Sequence, residues 1–191
     1  MEKTFFLSLV IAVYNEGEGL YKLVERIQSS LKEYEGNYEV ILIDDRSPDN
    51  SWEILCELAA QHEELKIVRF IRNFGQHPAL SAGMKLARGE YVVLMDCDLQ
   101  DEPENIIPMY EKMKAEGKYI IYAKRKRRKD PFRKRFTSKL YNKLLSILSG
   151  MEVDPEIGTF RLMHKVVVDS FNKLPENRRY VGGLFYWLGF D

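Results

Sequence analysis

Apolar residues along the chain gather into short unbroken runs, and these alternate with stretches in which apolar positions recur every three or four residues. Phe5 to Val13 is the first run, and it ends in Tyr14-Asn15-Glu16-Gly17. Leu20, Leu23, Val24, Ile27, Leu31 and Tyr34 then follow at helical spacing until Gly36-Asn37. Tyr38 to Ile43 is the second run, and it ends in Asp44-Asp45-Arg46-Ser47. Ser47 before Pro48 predicts an N-cap with proline in the first helical position, and Trp52, Leu55 and Leu58 carry that helix. Leu65 to Ile71 reads as a third strand. It leads through Arg72-Asn73-Phe74-Gly75-Gln76 into a small-residue helix holding Ala79, Ala82, Gly83 and Ala87, which ends at Arg88-Gly89. Tyr91 to Met95 is a fourth run, Pro103 opens a helix with Ile106, Ile107, Tyr110 and Met113, and Tyr119 to Ala123 is a short fifth strand. Unbroken apolar strands separated by helices predict a parallel, right-handed βαβ series buried on both faces, an α/β fold.

The strand ends carry the chemistry. The fourth run passes directly into Asp96-Cys97-Asp98-Leu99-Gln100-Asp101. Open α/β sheets bind ligands at the carboxyl edge of their strands. Side chains two apart on an extended chain point the same way, so Asp96 and Asp98 form a pair separated by about 7 Å at the backbone. Two such carboxylates suit one hard divalent cation, Mg²⁺ or Mn²⁺, which takes its other ligands from water and phosphate oxygens. The alternative is that these acids only begin the turn before Pro103. Three of the four strand ends bear acids or amides, which favours a ligand site along one edge.

Charge changes the picture of the second half. The whole chain of 191 residues has a net charge of zero, yet residues 1–123 carry 13 Lys+Arg against 22 Asp+Glu, while residues 124–143 carry 11 against 1. The cationic segment is Lys124-Arg125-Lys126-Arg127-Arg128-Lys129, followed by Arg133-Lys134-Arg135. Phe136, Leu140, Leu144 and Leu148 then fall four apart, an amphipathic helix with a cationic start that Gly150 ends. The run is open to three readings: a solvated loop, a nucleic-acid patch, or a surface against anionic lipid headgroups. The adjoining apolar stripe favours the lipid surface over nucleic acid. Beyond Gly158-Thr159-Phe160-Arg161, Val166 to Phe171 reads as a short helix, and Gly183 to Phe190 is aromatic and apolar. Cys56 and Cys97 are too few for a disulfide framework, so a reducing compartment is expected. Phe5 to Val13 lacks the flanks of a signal peptide, and apolar runs of about ten residues at most do not cross a bilayer. His62 and His164 read as surface residues, whereas His77 lies beside the candidate site.

With those residues in view, the chain resembles the inverting family-two glycosyltransferases of the GT-A fold. Within them it is most similar to the branch that loads sugars onto polyprenyl phosphate, dolichyl-phosphate-mannose-synthase-like and bactoprenol-glucosyltransferase-like. The motifs are Val13-Tyr14-Asn15-Glu16, Asp44-Asp45-Arg46-Ser47-Pro48-Asp49, Arg72-Asn73-Phe74-Gly75-Gln76, Asp96-Cys97-Asp98-Leu99-Gln100-Asp101 and Gly158-Thr159-Phe160-Arg161-Leu162-Met163. The resemblance implies a Rossmann-like, mostly parallel sheet flanked by helices, with a basic amphipathic C-terminal extension. Residues 1–123 would form the nucleotide-sugar core and 124–191 the acceptor-side, membrane-proximal part of the same catalytic domain. Ala12, Tyr14, Glu16, Asp44, Asp45, Gln76 and Asp96 would bind the nucleotide sugar, and Asp96, Asp98 and Gln100 would hold Mg²⁺ or Mn²⁺. Arg125, Arg135, Ser138, Arg161 and Arg179 would meet an acceptor phosphate, with Asp96, Asp98, Arg125 and Arg135 the catalytic set. The expected partners are a UDP- or GDP-linked hexose, a polyprenyl phosphate and an anionic membrane surface, not nucleic acid, with a homo-oligomer left open. The implied location is the cytoplasmic face of a membrane, reached through transmembrane helices beyond Asp191.

Three positions depart from that pattern. Ala12 stands where proline is common, Arg46 where glycine is, and Thr159 where an aspartate precedes Phe-Arg. An acceptor phosphate, with its second pKa about 6, is already ionised at neutral pH and can attack unaided. A saccharide hydroxyl acceptor, the alternative, needs a base, which Asp101 or Asp154 would have to supply.

Overall fold

A computed structural model of the chain describes residues 6–32, 37–124, 157–176 and 180–190. Four parallel strands form its centre: β1 (Leu7–Val13), β2 (Tyr38–Asp44), β3 (Leu65–Arg69) and β4 (Tyr91–Asp96). The connecting helices are α1 (Gly19–Leu31), α2 (Ser51–Gln61) and α3 (Gln76–Leu86). A 3₁₀ turn at Pro103–Asn105 runs into α4 (Ile106–Glu116), and β5 (Ile120–Lys124) follows. After β6 (Ile157–His164), α5 (Lys165–Asn172) and α6 (Val181–Trp187) close the described chain. The sheet order is β3-β2-β1-β4-β6-β5, with β6 antiparallel to both neighbours. The GT-A-type architecture implied by the resemblance is the one observed.

Alternation along the strands divides the interior into two cores. Leu7, Leu9, Ile11 and Val13 of β1 face α1, α2 and α4, meeting Leu20, Leu23, Ile27, Leu55 and Met109. Val10, Ile41, Val92 and Leu94 face the other way, toward Ala79 and Met84 of α3, Phe171 of α5 and Phe185 of α6. Each such side chain contributes about 1.5–3 kcal/mol on burial, so both layers hold the sheet. Helix α3 can lie close to β1 because position 83 is glycine: a Cβ there would meet Val10 Cγ1 at 2.3 Å.

Three expectations are corrected. The sheet has a sixth strand, Ile157–His164, over residues whose motif marked no strand. Both of its faces are covered, with Phe160 and Leu162 in one core and Met163 in the other, so no polar alternation shows in the sequence. Ser47-Pro48 does not start α2. That helix begins at Ser51 after Asn50, while Ser47 turns its hydroxyl to accept the Asn15 N–H at 3.1 Å. Strand β3 also stops at Arg69, two residues before its expected end. The predicted helix after Arg135 and the break at Gly150 lie outside the described residues.

At the amino edge of the sheet a fully buried carboxylate ties three segments together. Glu39 accepts from Ser8 Oγ at 2.7 Å and from the Arg88 amide at 2.8 Å, and it also pairs with Lys66. Burial raises its pKa, but the bonds from Lys66, Ser8 and Arg88 together outweigh that and leave it below the ordinary value. A depressed carboxylate pKa adds stability above its unfolded value, lost as pH falls through the folded one. Glu39→Gln should therefore lower unfolding free energy by about 2 kcal/mol at pH 7, with the deficit closing below about pH 4.5 as wild type protonates. Denaturant titrations at several pH values check this. A deficit that stayed constant down to pH 3 would refute it.

Candidate functional site

The loops after β1, β2 and β4 meet at the carboxyl edge of the sheet, joined by the turn that starts α3. Side-chain bonds, some within a loop and some between neighbours, hold these segments. Ser51 Oγ accepts from the amides of Glu16 at 3.1 Å and Gly17 at 2.9 Å, holding the β1 loop against α2. Asp45, 3% exposed, accepts the Phe74 amide with one carboxylate oxygen and the Gly75 amide with the other, each at 2.7 Å. That double grip sets the start of α3, where Gly75 takes φ 93°, a conformation glycine adopts without strain.

The acidic loop after β4 is closed by its own last residue. Asp101, 2% exposed, accepts the Asp96 amide at 2.9 Å, and Asp98 Oδ1 accepts the Gln100 amide at 3.1 Å. Three non-glycine residues at these strand ends lie in the left-handed region: Asn15 (φ 57°), Arg46 (φ 60°) and Leu99 (φ 58°). Backbone held in sparsely populated regions gathers at functional sites, where surrounding bonds over-determine it.

These loops enclose a cavity of about 360 Å³ lined by Tyr14, Glu16, Asp45, Asn73, Asp96 and Asp98, with Ala12, Gly75, Gln76 and Cys97 completing it. Gln76 Nε2 donates to Asp96 Oδ1 at 2.6 Å, fixing that carboxylate's orientation. Burial raises the pKa of Glu16, which the Cys97 thiol bond counters and the charges of Asp98 and Asp49 reinforce. Burial beside Glu16 pushes the Cys97 thiol up to about 12, so it stays protonated and 3.8 Å from a Glu16 oxygen. Asp96 and Asp98 present hard oxygen donors to one cavity, but no group of three acids, histidines or cysteines converges among the described residues. A Mg²⁺ or Mn²⁺ ion sharing two carboxylates and completing its shell with water and phosphate oxygens fits this donor set.

The structure thus brings together Ala12, Tyr14, Glu16, Asp45, Gln76, Asp96 and Asp98. Asp44 does not line the cavity: it is fully buried beside it, accepting the Ser47 amide at 3.0 Å and lying 3.0 Å from Arg69 Nε. Gln100 lines a neighbouring cleft of about 690 Å³ with Met109, Lys112, Ile121, Lys124 and Phe160. Arg161 is buried within the sheet layer, 4% exposed. Arg125, Arg135, Ser138, Arg179 and Asp154 lie outside the described residues. His77 packs edge-on against Tyr180, with ring centroids 5.1 Å apart; burial and then the Arg161 charge lower its pKa, leaving it neutral at pH 7. His62 bonds Gln28, and His164 caps α5 by accepting the Val166 amide. Asn73, Ser51 and the holding role of Asp101 were not singled out in the sequence. Only Asn73 carried a signal, its place inside the Arg72–Gln76 motif.

An acidic cavity at the carboxyl edge of a mostly parallel sheet, with one antiparallel strand inserted beside β4, is the arrangement of a GT-A-type domain. The chain belongs to glycosyl transferase family 2, whose family model matches residues 8–171. It is 38% identical over 191 residues to the uncharacterized glycosyltransferase YkcC of Bacillus subtilis, covering 100% of this chain and 59% of that protein. It is 36% identical over 186 residues to the bactoprenol glucosyl transferase of Shigella phage SfV, covering 96% and 60%. The chain therefore spans about three-fifths of these relatives' length. Among solved structures it shares its fold with S. aureus TarS 1-349 in complex with UDP-GlcNAc, at TM-score 0.64 and 17% identity over 97% of this chain and 54% of that one. The mannosyltransferase PcManGT of Pyrobaculum calidifontis, in complex with GDP-Man and Mn²⁺, matches at TM-score 0.61 and 17% identity over 91% and 48%.

Arg46 is exposed, does not line the cavity, and holds a backbone conformation that suits glycine. Arg46→Gly should raise unfolding free energy by about 1 kcal/mol, since the left-handed penalty for a side chain disappears. Thermal and denaturant unfolding would show it, and an unchanged or lower stability would count against strain at this position.

Proposed function

We propose that this domain transfers a hexose from a UDP- or GDP-linked donor to a polyprenyl phosphate, with inversion, at the cytoplasmic face of a membrane. The observation that carries the reading is the pair Asp96 and Asp98 opening on one cavity with Tyr14, Glu16 and Asp45. The 36% identity to a bactoprenol glucosyl transferase supports the acceptor class. Among the described residues no helix is long and apolar enough to cross a membrane; the membrane contact is assigned to the cationic run Lys124-Arg125-Lys126-Arg127-Arg128-Lys129.

Tyr14, half-exposed at the rim, stacks on the nucleoside base, and Glu16 and Asn73 meet the ribose side of the donor. Asp96, oriented by Gln76, and Asp98 would hold a Mg²⁺ or Mn²⁺ ion, which would offset the charge that develops on the departing diphosphate. The acceptor phosphate oxygen attacks the anomeric carbon on the face opposite the diphosphate. The new C–O bond forms as the bond to the diphosphate breaks, and the bonding pair leaves with that group. In the neighbouring cleft Lys112 and Lys124 are assigned to an anionic head and Met109, Ile121 and Phe160 to an apolar chain, with Asp101 and Glu102 also on its wall. Arg125, Arg135, Ser138 and Arg179 are assigned to that same phosphate.

The acceptor's ionisation removes the need for a base. A hydroxyl acceptor would need one. Thr159 is not an acid, and Asp101 is buried with an oxygen bonded to the Asp96 amide, which weighs against a saccharide hydroxyl.

Asp98→Ala should reduce hexose transfer to polyprenyl phosphate at least about 100-fold, as expected when a ligand to the leaving group's counter-ion is lost. It should also abolish the Mn²⁺-dependent thermal shift with UDP or GDP, which for the wild type approaches about 2.7 kcal/mol at 100 times the dissociation constant. Near-normal transfer by the variant with metal present would refute the assignment.

A further inference from the structure

Arg161 is a buried cation for which the described residues supply no bonded carboxylate. It lies on β6 opposite Leu94, on the face covered by α3, α5 and α6. Nε donates to the Thr159 carbonyl and Nη2 to the Gly158 carbonyl, both at 2.9 Å, and both acceptors belong to its own strand. The rings of Tyr122 and Phe185 flank the guanidinium, 5.2 and 5.5 Å from its carbon. Nη1 is buried without a hydrogen-bond partner. An unpaired guanidinium at such depth costs several kcal/mol unless negative charge stands nearby.

That charge is at the donor cavity. Because Arg161 faces Leu94 across the ladder, Asp96 lies on the same face two residues closer to the rim, within reach of a long side chain. Burial lowers the basicity of Arg161, and Tyr122, Tyr180 and Asp96 restore part of it. His77, which packs against Tyr180 on this side, also has a buried nitrogen, Nδ1, without a partner among the described residues, and being neutral it offers Arg161 no charge. The guanidinium therefore acts on the cavity from behind, as a fixed positive charge under a pocket lined by Glu16, Asp96 and Asp98.

We propose that Arg161 is a positioning residue that makes divalent-cation binding at Asp96 and Asp98 conditional on a nucleotide diphosphate. This rests on the metal reading given above. Asp96 and Asp98, opening on one cavity, would attract a lone divalent cation; a buried positive charge behind them weakens that attraction. When a diphosphate enters, its own negative charge offsets Arg161 and supplies oxygens to the ion, so cation and nucleotide bind together.

The test is a Mn²⁺ titration of the 191-residue chain, followed by the electron paramagnetic resonance signal of the free ion, with and without UDP or GDP. The wild type should bind Mn²⁺ at least tenfold more tightly with its nucleotide than without. Arg161→Gln should bind lone Mn²⁺ about tenfold more tightly than wild type and lose most of the nucleotide-dependent gain, as expected on removing one unit charge near a divalent ion. Arg161→Lys, which keeps the charge, should behave as wild type; a purely structural role would not separate these variants. If Arg161→Gln fails to fold by circular dichroism, Arg161→Met, whose chain fits between the two rings, carries the same comparison. Lone-ion affinity unchanged in the neutral variant, or wild-type affinity equal with and without nucleotide, would overturn the inference while leaving the metal site standing. Wild type that bound Mn²⁺ under no condition would remove the metal site and this inference with it.

Discussion

A carboxylate taken out of water must find donors, and at this sheet edge it finds them in backbone amides. Asp45 holds the amides of Phe74 and Gly75, Asp101 that of Asp96, and Asp44 that of Ser47. Hydrogen bonds to charged groups contribute about 1.5–3 kcal/mol each, enough to fix loops that carry left-handed residues. The acids at the strand ends thus divide into two kinds. One kind faces inward and shapes the loops. The other, Glu16, Asp96 and Asp98, lines the cavity beside Asp45, which serves in both ways. Removing an inward acid would disturb the site as much as removing one that lines it.

The sheet was legible because its central strands are buried on both faces and read as unbroken apolar runs. Leu7 to Val13 and Tyr91 to Met95 have no other interpretation at that length and spacing. Strand β6 was not legible. It follows a stretch of different composition, carries Arg161 in its middle, and pairs against chain order, between β4 and β5. Sequence carries no mark of a buried arginine whose donors turn back to its own strand.

In the site, the pairing of Asp96 with Asp98 followed from strand alternation, and Tyr14, Glu16, Asp45 and Gln76 from the family resemblance. What sequence could not supply was the direction of each side chain once the extended backbone ended. Gln100 continues the alternation on paper. Leu99 at φ 58° breaks it, and Gln100 turns to the adjoining cleft. Asp101, which the sequence offers as a base for a hydroxyl acceptor, is a buried brace. Ser47 offered a hydroxyl at a proline boundary, a fair capping pattern, but the amide of Asn15 claims it.

The pairing of Lys124 with Ile157 across β5 and β6 has a consequence for how such enzymes diversify. The chain leaves the sheet and re-enters it at adjacent positions on the rim next to the donor cavity. Bringing two points of a chain together costs entropy that grows only slowly with the length of chain between them. The pairing of β5 with β6 therefore sets little limit on how much chain joins the two strands.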